Sequence, residues 1–167
     1  MCWMCDNPGM TVEDSLDRMA QLVRAYGWAI QYVEGSKHHA PWAYTLGLTA
    51  CGLPELLVTG LLQGGVDTYL NGYGAHLMHA EPPLPGERFA LRGTPLLEVV
   101  QVAEPDVHMP TAIALFGPDV RALQLVRSDD RGKWPWDPGF RSSRWPQPVL
   151  GPRALCVLGQ RPTAEGT

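Results

Sequence analysis

The sequence predicts an α+β fold, a mixed, mostly antiparallel sheet or partly closed barrel with two to three packed helices. Helical and strand-like apolar patterns occur in the order α-β-β-β-α-β-β-α-β, without an internal repeat. The short turn between the second and third strands requires an antiparallel pair. With 167 residues, 45% of them hydrophobic and 18% charged, the chain suits one globular core.

The first helix has the clearest limits. Thr11 is a candidate N-cap, Glu13 and Asp14 follow in the first turn, and Gly27 stands where helices commonly end. Between these limits the apolar side chains recur at helical spacing. Residues 28–33 then alternate in polarity and predict a strand directly after the helix.

The remaining elements follow from alternating patterns, helical spacing and breaker residues. In chain order they are strands over 42–49 and 55–59, a helix over 63–80, strands over 88–91 and 96–102, a short helix over 109–116 with Pro110 in its first turn, and a strand over 121–127.

The domain organisation is predicted in three parts. Residues 1–10 form an N-terminal segment with a CxxC motif, and residues 11–140 form a single α+β domain. Residues 141–167 are a tail rich in proline and glycine, which we expect to wrap the surface of the domain.

Charge and hydropathy exclude two classes of partner. The chain has 13 basic and 17 acidic residues, and the basic ones are scattered singly, so we expect no nucleic-acid binding. No run of 18 apolar residues occurs, so we expect no membrane insertion. The start has no signal-peptide pattern, and we expect reduced thiols in a cytoplasmic protein.

Several motifs together resemble a known family. They are Gly27–Val33, Pro41–Leu48, Pro54–Gly60, Leu123–Val126 and Trp134–Phe140. The chain resembles, over roughly residues 20–140, the bacterial family called domain of unknown function 4262. This resemblance implies a small bacterial domain and carries no reaction, cofactor or catalytic residue. One departure is Leu53, where many relatives have a histidine before the Pro-Glu pair.

Two pairs of residues are candidate metal ligands. Cys2 and Cys5 have the two-residue gap that allows both thiolates to reach one ion, and zinc is the candidate metal. His76 and His79 lie three residues apart in the second predicted helix and are the histidines that would complete such a site. The cysteine pair could also be redox-active or consist of two unreactive thiols.

A small-molecule site is predicted along the second strand. Thr45 and Gly47 are small residues on a strand with large aromatic neighbours, which leaves room for a ligand to approach. Aromatic rings suit stacking on a flat ligand, and a flavin is a less favoured cofactor than zinc. The predicted ligand-binding residues are Trp42, Tyr44, Thr45, Gly47, Trp134 and Trp136.

Other polar residues allow catalytic hypotheses. Glu55 begins an apolar strand, where it either caps the preceding turn or acts as a general acid or base. His38, His39 and His108 could line one opening if their loops meet, which the sequence does not establish. Cys51 is predicted to be a small buried filler.

Three functional hypotheses follow. The first is an uncharacterised domain that binds a small molecule or metal ion in an accessory or regulatory role. The second is a flavin-dependent or metal-dependent enzyme, suggested by element order alone. The third is a protein-interaction module that docks a partner through the Trp134–Trp136 segment and the tail.

Overall fold

A computed structural model describes residues 7–154 as a six-stranded sheet with helices on both faces. The helices are α1 (Val12–Tyr26), α2 (Gln63–Leu77), α3 (Pro105–His108) and α4 (Pro110–Phe116). The strands are β1 (Ala29–Val33), β2 (Trp42–Leu46), β3 (Glu55–Thr59), β4 (Arg88–Ala90), β5 (Leu96–Gln101) and β6 (Ala122–Arg127).

The sheet has the strand order β1-β2-β3-β6-β5-β4. Neighbouring strands are antiparallel except β3 and β6, which are parallel, with Glu55 opposite Ala122 and Leu57 opposite Gln124. The predicted α+β class with a mixed, mostly antiparallel sheet is confirmed. The sheet is open, so the alternative of a partly closed barrel does not describe this chain.

The ends of α1 are those that the sequence predicts. Thr11 Oγ1 accepts a hydrogen bond from Asp14 N at 3.1 Å, and Asp14 Oδ2 accepts one from Thr11 N at 2.8 Å. This reciprocal capping box provides partners for backbone N–H groups that have none within the helix. Gly27, with a φ of +89°, ends the helix, and β1 follows directly.

The prediction of a strand over 42–49 is wrong at its end. At Gly47 the chain turns with a φ of +126°, and Leu48–Cys51 form a 3₁₀ helix instead of continuing the strand. A side chain at Gly47 would also meet the Gly27 carbonyl oxygen at 2.7 Å, so glycine allows a close approach of two backbone segments here. A further helix that the sequence does not predict is α3, a single turn before Pro110.

One face of the sheet packs against α2. Buried side chains of the helix meet buried side chains of β2, β3, β5 and β6 in one apolar cluster. The apolar side chains of α2 recur on one side of the helix. This spacing accounts for its packing against the sheet, although its glycines disfavour a helix. The central members are Val58, Leu56, Leu70, Leu77, Val99 and Leu125.

Two different parts of the chain pack on the opposite face of the sheet. Helices α1 and α4 pack over β2 and β3, around Tyr44, Leu46 and Leu57. Val100 and Val126 of β5 and β6 pack instead under Trp134, in the segment after β6. The segment continues across the sheet, where the Gln147 side chain bonds both the N–H and the carbonyl of Arg127 at 2.9 Å.

Residues 141–154, assigned to the tail by the sequence, thus include a buried residue and a stretch packed on the sheet. Among the described helices, none is long and apolar enough to cross a bilayer.

Candidate functional site

A cavity of about 620 Å³ lies where three separate parts of the chain meet. They are the loop before β2, the α3 turn and the C-terminal segment, with the last residue of β3 between them. Most of the surface that lines the cavity is apolar. The lining residues are Ser36, Lys37, His38, His39, Ala40, Trp42, Thr59, Val107, His108, Trp145, Pro146, Pro148 and Leu150.

The loop before β2 is folded back on itself. Ser36 N donates to the His39 carbonyl at 2.9 Å, and the Ser36 hydroxyl accepts from His38 N at 3.1 Å. Gly35 precedes this turn, and a Cβ there would lie 2.7 Å from Cδ of Pro41. Local hydrogen bonds and one close backbone approach therefore hold the two histidines at the tip of the loop.

Trp42 joins this loop to α3. Its indole N–H donates to the carbonyl oxygen of His108 at 2.8 Å. The His39 ring packs edge-on against the Trp42 ring, with centroids 5.3 Å apart and planes at 72°. Since the only donor of the indole is already bonded, Trp42 offers the cavity ring surface and no hydrogen-bond donor.

Buried hydrogen bonds hold the C-terminal wall. The Thr59 hydroxyl donates to the Pro148 carbonyl at 2.8 Å, and Nε2 of Gln124 donates to the same oxygen at 2.7 Å. Oε1 of Gln124 accepts from Leu150 N at 2.7 Å. A fully buried glutamine thus fixes two residues of the wall, so the cavity is largely preformed.

The ionisable residues that line the cavity are all basic. They are Lys37, His38 and His39 on the loop, which are exposed, and His108 at the end of α3, which is half-buried. The three histidines that sequence analysis could not place together therefore line one opening.

The predicted aromatic site is divided among three places. Trp42 lines the cavity, but the buried Tyr44 belongs to the cluster beneath α4. Trp134 and Trp136 stack on each other with centroids 5.4 Å apart and do not line the cavity. Arg88 lies 4.6 Å from the Trp134 ring centroid and Arg153 lies 3.9 Å from that of Trp136.

Thr45 and Gly47 lie at a buried polar cluster around Glu55. The Glu55 carboxylate accepts four hydrogen bonds, from Thr45 Oγ1 at 2.6 Å, Gly47 N at 3.0 Å, Thr49 N at 2.9 Å and Thr49 Oγ1 at 2.7 Å. Both carboxylate oxygens are thus used within the protein, and Glu55 is fully buried. This geometry supports the interpretation that Glu55 caps the turn before β3.

The candidate metal ligands are not brought together among the described residues. Cys2 and Cys5 lie outside residues 7–154, while His76 and His79 are exposed at the end of α2. Within that range no group of three or more His, Cys, Asp or Glu side chains is placed to hold a metal ion. Cys51 is exposed, so the prediction that it is a buried filler is wrong.

A second cleft, of about 350 Å³, lies beside Arg127. Burial lowers the pKa of Arg127 to about 10, so the guanidinium remains charged at neutral pH. It donates to the Thr59 carbonyl at 3.0 Å and lies 5.6 Å from the Tyr69 ring centroid. Asp129 and Asp130 line this cleft together with Arg127, so its charges are mixed, unlike those of the larger cavity.

No pattern in the sequence indicates Thr59 or the C-terminal wall as part of a site. Thr59, Trp145, Pro146, Pro148 and Leu150 line the cavity, yet no local pattern distinguishes them from core or tail residues. The one usable signal was the set of histidines beside Trp42 and before the helix at Pro110.

These features define an α+β domain with an open mixed sheet and a largely apolar cavity beside a histidine-bearing loop. A family profile described as Domain of unknown function (DUF4262) matches residues 22–141, so the chain belongs to this family. The loop, β3 and α3 lie within the matched region, and the C-terminal wall of the cavity lies beyond it. No curated protein and no solved structure matches the chain.

Proposed function

We propose that this domain binds a small organic molecule in the cavity between the His38–His39 loop, α3 and the C-terminal segment, in an accessory or regulatory role. The observation that carries this proposal is the cavity itself, about 620 Å³ of mostly apolar space with a few polar groups. Sites for small molecules commonly occupy about 300–1,000 Å³ and have this composition.

The position of the cavity adds support. Thr59 is the last residue of β3, and β3 forms the parallel pair of the sheet with β6. In open α/β sheets, ligands commonly bind beyond the carboxyl ends of parallel strands, and the cavity has this position relative to β3.

An organic ligand is better supported than a metal ion. The cavity is largely apolar, and residues 7–154 contain no cluster of three metal-ligating side chains. The docking hypothesis has less support, because the Trp134 and Trp136 rings contact each other and two arginines.

A fluorescence titration tests the proposal. N-phenyl-1-naphthylamine is an uncharged aromatic probe whose emission rises in apolar surroundings. We expect saturable binding with one site per chain. Val107 lines the cavity with 60% of its surface exposed, so Val107→Trp will obstruct the opening without entering the core. We expect this substitution to weaken binding at least tenfold.

Val12→Trp is the matched control, because Val12 is 65% exposed on α1 and does not line the cavity. Equal probe binding by the wild type and both variants, or no saturable binding by any of them, would contradict the proposed function.

A further inference from the structure

We infer that the ligand of this cavity is an organic anion, with a flat apolar body and one carboxylate or phosphate group. This inference rests on the proposed function and adds the chemical class of the ligand.

The charge of the lining carries the inference. The protein has a formal net charge of −4, yet the four ionisable residues of the cavity are one lysine and three histidines. By contrast, the groove that includes His76 has Glu81 and Glu87 beside Arg88. A lining with a cationic lysine, histidine donors and no carboxylate favours an anion over a cation.

The basic groups are not used elsewhere in the described structure. Among residues 7–154 no carboxylate lies within 4.0 Å of the Lys37 ammonium, and the rings of His38 and His108 make no hydrogen bond. His39 differs, because its Nδ1 lies 3.3 Å from the Ala40 carbonyl oxygen. Lys37, His38 and His108 therefore remain able to donate to a bound acid group.

Aromatic and apolar side chains of the lining can contact the apolar body of the ligand. The ring of Trp42 is held by its hydrogen bond to the His108 carbonyl, and Trp145 and Leu150 of the C-terminal segment also line the cavity. A lining that combines aromatic and apolar side chains with several donors suits an amphipathic molecule better than a small inorganic anion.

Calorimetric titration of the full chain with three naphthalene derivatives tests the charge requirement. The probes are 2-naphthamide, 2-naphthoate and 2-naphthyl phosphate, which share one ring system and differ in the charged group. We expect at least one of the two anions to bind about tenfold more tightly than the amide, the effect of one charge-assisted hydrogen bond. The tighter anion then identifies the acid group.

The Lys37→Met substitution tests whether Lys37 causes the preference for the anion. This substitution keeps a long apolar side chain and removes the charge, so we expect the preference for the anion over the amide to fall about threefold or more, with the amide affinity unchanged. Arg92→Met is the control, since Arg92 is exposed and does not line the cavity. It removes the same charge elsewhere and should leave the preference intact, because salt screens distant charges.

Failure of this inference is distinguishable from failure of the proposed function. If the amide binds as tightly as both anions, and Val107→Trp weakens all three, the cavity binds organic molecules without selecting anions and the inference is overturned. If Val107→Trp changes none of the affinities, the proposed function itself fails.

Discussion

At the scale of single residues, Glu55 shows how burial determines the role of a carboxylate. The sequence allows a general acid or base, whereas the structure surrounds the carboxylate with four donors, one from β2 and three from the turn before β3. A buried acceptor whose partners are all protein groups stabilises the fold through those bonds.

We expect Glu55→Gln to lower the free energy of unfolding by about 2–3 kcal/mol, because an amide nitrogen would face donors in place of an acceptor. Urea unfolding measures this loss. Glu81→Gln, at an exposed position, should leave the free energy of unfolding nearly unchanged. A stable Glu55→Gln protein would refute the capping role and return Glu55 to the acid or base candidates.

Tyr44 shows the opposite case, because its buried hydroxyl has no hydrogen-bond partner among the described residues. Its hydroxyl is the one buried side-chain polar atom of the described residues that makes no hydrogen bond. Burial raises the pKa of the Tyr44 phenol, and the neighbouring Thr111 offsets only part of this rise. The atoms of Thr111 are not placed to form a hydrogen bond with the Tyr44 hydroxyl. Tyr32 differs, because its hydroxyl donates to the Leu61 carbonyl at 3.2 Å.

We therefore expect Tyr44→Phe to raise the free energy of unfolding by up to about 1 kcal/mol and Tyr32→Phe to lower it by about 1 kcal/mol. Urea unfolding of both variants at pH 7 provides the comparison. Equal destabilisation by the two substitutions would show that the Tyr44 hydroxyl has a partner.

The raised pKa also predicts a pH dependence. The folded state binds the Tyr44 phenolic proton more tightly than the unfolded state does. The contribution of this proton binding to the free energy of unfolding is therefore complete at pH values below the unfolded pKa of about 10. It is lost as the pH rises through the higher folded value. Tyr44→Phe should therefore lose less stability between pH 9 and pH 11 than the wild type, as measured by thermal unfolding, and an equal loss would contradict this attribution.

At the scale of elements, the described part of the segment after β6, residues 128–154, packs on the sheet. Glu98 of β5 is almost fully buried and accepts from Arg88 Nε at 2.8 Å and from Arg153 Nε at 3.1 Å. The same two arginines cover Trp134 and Trp136. Ion pairs and ring contacts thus hold Trp134, Trp136 and Arg153, and Gln124 holds Pro148 and Leu150.

We expect Gln124→Leu to loosen the chain around Pro148 and Leu150, because the Leu150 N–H loses its acceptor and the Pro148 carbonyl loses one donor. The expected loss is about 2 kcal/mol in the free energy of unfolding, with faster amide hydrogen exchange at Leu150. Gln21→Leu is the control at an exposed position of α1. Unchanged exchange at Leu150 in Gln124→Leu would show that other contacts hold the cavity wall.

At the scale of the whole molecule, the sequence predicts the fold better than the site. Local signals such as the Thr11 cap and the Gly27 stop define α1, and alternation defines most strands. The cavity depends instead on contacts between distant segments, since Thr59 and Pro148, which form one of its walls, are 89 positions apart. No local pattern encodes such a meeting, so the sequence predicts Trp134 and Trp136 as ligand-binding residues and does not indicate Trp145.

The most direct test of the binding cavity follows the indole N–H signals of the six tryptophans by NMR while N-phenyl-1-naphthylamine is added. The cavity described above predicts that the signals of Trp42 and Trp145, which line it, shift with saturation, and that those of Trp134 and Trp136 do not. Saturable shifts at Trp134 and Trp136 with Trp42 and Trp145 unchanged would contradict it.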